Sequence, residues 1–386
     1  VDVPTTSGVV PALSQRPSRP SPHSQWHHEQ RRRVLSAHPE LRRLFGPEPM
    51  QLFHVLGLIT ARWGIACAVG YYETPVWLIG LLSCTVGCWI VHAAGTYIHE
   101  QGHRLIVASE PFATAVDVLL EICTTSFGFS VSYQHKHVNF HHVYLGDYEW
   151  DSEMRDLCGH VAVVSAEQRG RLVARCLVLL EGFLALFPAT GLVAQDTVEA
   201  LRAHILLPPD VKASDTVKSA RFALPPHLRQ KQLTFMVISA LCYAACAWAW
   251  GWRAALFGLW SLAIKSSRFD VVGWGQDMAE HNSDDATKPT NSTRTAWNWL
   301  FCNTGYHTEH HSFPHVPGCY LPRLSRAAPE EFPARMDWST AWPALWLRWV
   351  STGFKSFRIT EQQVRLARDG RCGAGGVHSA PRPKDD

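Results

Sequence analysis

The sequence predicts an all-α integral membrane protein: four transmembrane helices in two hairpins, with a cytosolic helical cap carrying a histidine-rich dimetal site. Three observations lead there. Apolar residues make up 46% of the 386-residue chain and are clumped into runs long enough to cross a bilayer. The runs come in pairs separated by short turns. Nine of the 21 histidines are gathered into clusters, most at helical spacing.

In chain order, residues 1–25 are rich in Pro and Ser and read as a disordered N-terminus, and residues 369–386, rich in Gly, Pro and charge, as a disordered tail. Between them, residues 26–368 form one membrane domain. Residues 52–71 and 76–98 each reach the roughly 20 apolar residues a crossing needs, and only a Glu-Thr-Pro turn separates them. They make the first hairpin. Arg62 inside the first run must pair or face a cavity. Residues 233–250 and 254–272 make the second hairpin around Gly251-Trp252-Arg253, although Lys265 and Arg268 crowd its end. Residues 112–130, with Asp117 and Glu121, and 172–195, with Glu181, Pro188 and Gly191, read as interfacial segments. Loop charge orients the whole. Arg31, Arg32, Arg33, Arg42 and Arg43 precede the first run and no Lys or Arg lies in the first turn, which places the N-terminus in the cytosol. That asymmetry also argues against the bland alternative, a soluble helical protein. A formal net charge of only +3 implies no nucleic-acid surface. Eleven scattered cysteines without a CxxC pair fit a reducing compartment.

The boxes carry the chemistry. HEQGH puts His99 and His103 at i and i+4, on one helix face. The pattern fits a zinc site with Glu100 as base, and equally one piece of another metal centre. QHKHVNFHH supplies His137, His141 and His142, with His135 just upstream, and GYHTEHH supplies His307, His310 and His311. Between them, GQDMAEH ends in His281, with Gln276 and Asp277 about a turn before it. His23, His27, His28, His38, His160, His204, His227 and His378 read as surface or capping residues. Imidazoles grouped at helical spacing repel one another when protonated, so the boxes imply a bound cation. One catalytic zinc takes three protein ligands and water, which leaves most of the boxes idle. Two metals with four or five nitrogens each use about nine ligands, and the boxes supply His99, His103, His137, His141, His142, His281, His307, His310 and His311. Donor type alone does not name the metal. All boxes must share one membrane side, which the two hairpins allow and a crossing at 172–195 does not.

These boxes resemble those of the membrane fatty-acyl desaturase and hydroxylase superfamily, whose mark is HxxxH, HxxHH and HxxHH. More closely the chain is similar to the sphingolipid delta-4 (dihydroceramide) desaturases. The matching stretches are HHEQRRRVLSAHPELRRLFGPEP, HAAGTYIHEQGH, SVSYQHKHVNFHHVYLG and NTGYHTEHHSFPHVPGCYLP, spread over about residues 26–350. The resemblance implies an endoplasmic-reticulum enzyme with two Fe ions that uses O2 to turn a dihydroceramide into a ceramide with a trans-4 double bond. It implies a narrow apolar tunnel near His92, which sits two turns before His99 on the same face. No HPGG haem motif occurs, so electrons are expected from a separate cytochrome b5 and its reductase. Glu100, Asp147, Asp151 and Glu309 are candidates for orienting the imidazoles from behind. A C4-hydroxylase or another acyl-lipid desaturase is the near rival, and an intramembrane zinc metalloprotease the remote one.

Two features depart from the family pattern. HVNFHH is one residue longer than HxxHH, which makes His135 the fallback for His137. Gln276 stands where the branch tends to have histidine, so Gln276, Asp277 or water completes one metal. The cytosolic orientation has its own test: Asn291-Ser-Thr fits a glycosylation acceptor, yet endoglycosidase treatment is expected to produce no mobility shift.

Overall fold

The computed structural model describes residues 19–147, 150, 151, 153, 176, 222–267, 269–280, 289–295, 297–332 and 342–351. Among these, all regular structure is helical. The helices are α1 (Pro22–Ala37), α2 (Gln51–Tyr71), α3 (Val76–Gly102), α4 (Glu110–Thr124) and α5 (Phe129–Lys136, continued by His137–His141 and His142–Tyr144). They are followed by α6 (Pro226–Trp250), α7 (Trp252–Lys265), α8 (Gly273–Glu280), α9 (His307–Ser312), α10 (Leu321–Ala327) and α11 (Trp342–Ser351).

Three of these, α2, α3 and α6, are long and apolar enough to cross a membrane. Their apolar side chains point largely away from protein: Trp77 is 72% exposed and Trp248 89%. In α2 and α6 only 22% of the most apolar window is buried. Apolar surface on this scale is stable against lipid and costly against water, at roughly 25 cal/mol per Å². The expected fourth span, 254–272, is shorter than the sequence suggests. α7 has 14 residues, about 21 Å at 1.5 Å each, against a hydrocarbon core of about 30 Å. It ends because Ser267 Oγ turns back to Ile264 O at 2.8 Å, and Asp270 Oδ1 then accepts from Val272 and Gly273 N–H to start α8. Arg268 lies outside the described residues. α6 begins at Pro226 rather than 233, with proline in the first turn, where a missing N–H costs nothing.

Four further expectations are corrected, refined or lie outside the described residues. Residues 22–25, assigned above to a disordered N-terminus, form the first turn of α1: Ser21 caps it by accepting from Ser24 N–H at 3.2 Å, and Pro22 occupies the first helical position. Segment 112–130 is broken into two helices, because Thr125 at φ 45° and Phe127 at φ 53° adopt left-handed conformations. Its acids make internal ties. Glu121 is fully buried and accepts from Ser239 Oγ at 2.6 Å, Ser130 Oγ at 2.8 Å and Gly128 N–H at 3.0 Å. Asp117 pairs with Lys231 at 2.6 Å. Segment 172–195, apart from Cys176, and the tail 369–386 lie outside the described residues.

Arg62 explains how α2 tolerates a charge. Its guanidinium, 0% exposed, donates to Cys123 O, to Thr125 Oγ1 at 2.8 Å, to Gly258 O at 3.2 Å and to Tyr243 Oη at 3.3 Å. One side chain thereby joins α2 to the end of α4, to α6 and to α7. A separate apolar cluster of Val34, Leu41, Phe313, Leu321 and Leu324 binds α1 to α9 and α10. Replacing Arg62 with Met leaves buried acceptors without their donor, at about 1–3 kcal/mol each. A lower thermal unfolding midpoint in detergent is expected, and an unchanged midpoint counts against the tie.

Candidate metal centre

The first box sits on the last turn of α3, where packing against α4 and α5 fixes the helix. His99 is buried and His103 forms the C-terminal cap. Glu100, 1% exposed, accepts from Gly318 N–H at 2.9 Å through one oxygen, and its other oxygen lies 3.8 Å from His99 Nδ1. It ties α3 to the segment after α9.

The second box solves its extra residue with backbone. On an α-helix His137 and His142, five apart, stand about 140° from each other. Here His137–His141 adopts π-helical geometry, in which i and i+5 stack. His142 Nε2 consequently lies 3.0 Å from His137 Nε2. His141 faces the other way, toward His311, with ring centroids 5.0 Å apart. The fallback His135 points elsewhere, against Phe140 and Asn139. The third box is α9, whose single turn and a half presents His307, His310 and His311, all buried.

Two groups of imidazoles result. His99, His103, His137, His142 and His310 offer nitrogens that all lie within 4.8 Å of one another, and His141, His307 and His311 form a second such group. The groups adjoin: His142 stacks on His311 at 4.3 Å. His281 lies outside the described residues. The donor chemistry fits a metal pair. Nitrogen pairs approach to 3.0 Å in His307–His311 and 3.1 Å in His142–His310, and His103 Nε2 and His310 Nδ1 are buried without a hydrogen bond. A carboxylate at Nδ1 holds the proton there and leaves the lone pair on Nε2. Glu153 does this for His137 at 2.6 Å and Asp151 for His141 at 2.9 Å. Burial first, and the neighbouring imidazoles second, hold His103, His137, His142, His310 and His311 well below 6.5. They are therefore neutral donors near pH 7. His141 is the exception. Burial lowers it, but Asp151 and Glu153 outweigh burial and carry it to about 9.

Behind the second group, Glu280 Oε2 stands 3.5 Å from His307 Nδ1. Gln276 bridges Glu280, at 2.7 Å, to His92 Nε2, at 2.8 Å, so Gln276 and His92 are linked to the centre through Glu280. Asp277 belongs to neither imidazole group. Glu309, 0% exposed, accepts from Ser292 Oγ at 2.5 Å and from Arg294 at 3.3 Å, and so braces the loop before α9. Asp147 accepts from Trp150 N–H in its own turn. Asn291 of the acceptor triplet is buried, with its amide on Ala279 O at 3.2 Å.

Sequence reasoning missed three residues. Glu153 and Glu280 gave no motif, although Glu280 directly precedes His281. His27, read above as a surface residue, is 3% exposed. Its Nδ1 lies 2.7 Å from Ser312 Oγ and its ring 5.3 Å from that of His311. The i, i+3, i+6 pattern of Ser24, His27 and Gln30 was the available signal, because it puts them on the one buried face of α1. Ser24 Oγ also donates to His142 O at 2.6 Å, so α1 roofs the second and third boxes.

Asp151→Asn is expected to weaken metal retention about 10–100-fold, read as metal content after graded chelator treatment. In metal-free protein the depressed imidazoles set the acid limb. Below about 6.5 the unfolded chain binds protons that the folded one refuses, so stability falls as pH drops. His141 has the opposite sign, and its contribution fades as pH rises through about 9. Unfolding midpoints measured across pH check both limbs.

Comparison with known proteins agrees with this geometry. A family model described as fatty acid desaturase matches residues 75–342, more than half of the chain. The chain is 26% identical over 327 residues to a Candida albicans sphingolipid delta(4)-desaturase, covering 79% of this chain and 76% of that one. It is 27% identical over 319 residues to a Drosophila melanogaster sphingolipid delta(4)-desaturase, covering 82% and 86%. It is 26% identical over 354 residues to a rat sphingolipid delta(4)-desaturase/C4-monooxygenase, covering 89% and 94%. No solved structure matches. With its histidine boxes drawn into two adjoining groups and more than half its length matched, the chain belongs to the fatty acid desaturase family.

Proposed function

We propose that this protein is a sphingolipid 4-desaturase, converting dihydroceramide to ceramide by introducing a trans-4 double bond with O2 and two electrons. The observation that carries the reading is the convergence of eight imidazoles from three separated boxes, 5 in one group and 3 in the other, in a chain whose relatives are named for this reaction. A methylene C–H has no acidic proton, so no side-chain base can remove it. Two Fe ions held by the two groups would supply the redox chemistry that activates O2 against such a bond, which zinc cannot. His281 is proposed to complete the second group.

The protein's own residues then do the rest. Glu153 and Asp151 hold the Nδ1 protons of His137 and His141, with Glu153 also 3.5 Å from His141 Nε2, and Glu280 stands behind His307. α1, held by Ser24 and His27, keeps bulk water from the centre. The acyl chain enters through an apolar tunnel that passes His92. Overall, the substrate loses two hydrogens and one O2 becomes two waters, with cytochrome b5 and its reductase supplying two electrons and the solvent two protons. The reading places the enzyme in the endoplasmic-reticulum membrane, crossing four times, with the N-terminus and boxes cytosolic. A zinc protease fits less well: it needs Glu100 as base beside the metal, and Glu100 is committed to Gly318 N–H.

The rat relative's name, which includes C4-monooxygenase, favours hydroxylation as a second outcome of the same site. Lipid mass spectrometry after expression in cells lacking both activities separates them. A loss of two mass units marks desaturation and a gain of one oxygen marks hydroxylation. Native protein is expected to hold about two irons per chain. His310→Ala is expected to cut turnover at least about 100-fold, about 2.7 kcal/mol or more in barrier, with loss of iron. Full activity of that variant would end the dimetal reading.

A further inference from the structure

Lys265, in the last turn of α7, runs its side chain across α3 at Gly95, where its Cε lies 3.9 Å from the place a β-carbon would take. Gly95 shares a helix face with His92 three residues before it and His99 four residues after it. The ammonium is thus delivered between the His92 network and the first imidazole group. Among the described residues it has no ion-pair or hydrogen-bond partner. An unpaired ammonium at the end of an apolar helix is costly and marks a binding position.

Asp277 is its counterpart. It too has no partner among the described residues. It stands on α8 beside Gln276, which joins His92 to Glu280, close enough for Lys265 to act on its charge, and it is exposed and so open to a bound group. Tyr133 ties this part of α8 to the metal centre: its ring stacks on His137 at 5.1 Å, and its hydroxyl feels Glu153, Glu280 and Asp277. On the other flank, His92 Nδ1 and Asp270 Oδ2 are buried, 3.6 Å apart, and each lacks a hydrogen bond. A separation of that size leaves both available to a third polar group.

We propose that Lys265 and Asp277 form the subsite that receives the polar end of the lipid, its C3 hydroxyl and amide, and thereby set which methylene faces the metals. The proposal rests on the sphingolipid reading above. C4 is one bond from the hydroxyl-bearing carbon, so the polar end has to come within a few ångströms of the imidazoles. A carboxylate accepts from the hydroxyl and the amide N–H, and an ammonium donates to the amide carbonyl. A plain acyl chain satisfies neither and leaves both charges without a partner, which discriminates against it.

The test uses full-length iron-loaded protein in phosphatidylcholine vesicles, with reductant and electron donor supplied. N-octanoyl-sphinganine is compared with its 3-deoxy analogue. Wild type is expected to prefer the hydroxylated lipid. Lys265→Met and Asp277→Asn are expected to raise KM for it about tenfold or more, with kcat within about threefold, and to lose most of the preference. Lys265→Arg keeps it, and iron per chain stays unchanged in all three. Equal turnover of both lipids by wild type overturns the subsite without recourse to any variant. Unchanged KM and preference in the variants also overturn it, as does loss of iron in Asp277→Asn, which would make that residue a metal ligand. No turnover of either lipid by wild type instead removes the sphingolipid reading, and the subsite with it.

Discussion

Imidazole nitrogens brought within 3.0–3.1 Å of each other repel unless a ring proton or a cation lies between them, and the rest of this structure is arranged around that condition. Protonation would be the cheap escape, since an imidazolium can donate to its neighbour. Burial closes it for most of the rings by penalising the charged form. Glu153 behind His137 keeps that ring's proton on the far nitrogen, whereas Asp151 and Glu153 carry His141 up to about 9 and make it the ring from which an ion has to displace a proton. What remains is a set of neutral donors whose charge balance an ion must complete. Solvent access, carboxylate placement and helix register are all subordinate to that condition.

The scaffold meets it by joining elements distant in sequence through buried polar contacts. Arg62 links four helices, and Glu121 links the end of α4 to α5 and α6. Glu100 joins α3 to the segment beyond α9. In a chain whose long helices turn apolar faces outward, such contacts are what hold the interior together, because lipid contributes no hydrophobic drive between helices. Of these helices, α4 and α5 also pack against the end of α3 and so fix the first box.

Much of this was legible beforehand. The apolar runs located α2, α3 and α6 because bilayer thickness dictates run length, and the boxes announced themselves because clustered imidazoles have few other uses. Less legible were features set by tertiary contact. The early end of α7 depends on Ser267 and Asp270 turning the chain, and run-length reasoning read through both. Asp117 and Glu121 looked interfacial by composition, but their partners lie more than 100 residues away in α6. Glu153 and Glu280 carry no motif at all. His27 shows the same limit: a single histidine on a polar helix is a surface residue until another element lands on it.

The π-helical turn at His137–His141 has one further implication. What the two imidazole groups require is the angular position of each nitrogen around the helix axis, and a change in local winding can preserve that position while the residue count changes. Boxes with two or three intervening residues are then equivalent solutions, and a pattern search that fixes the interval would discard a working variant.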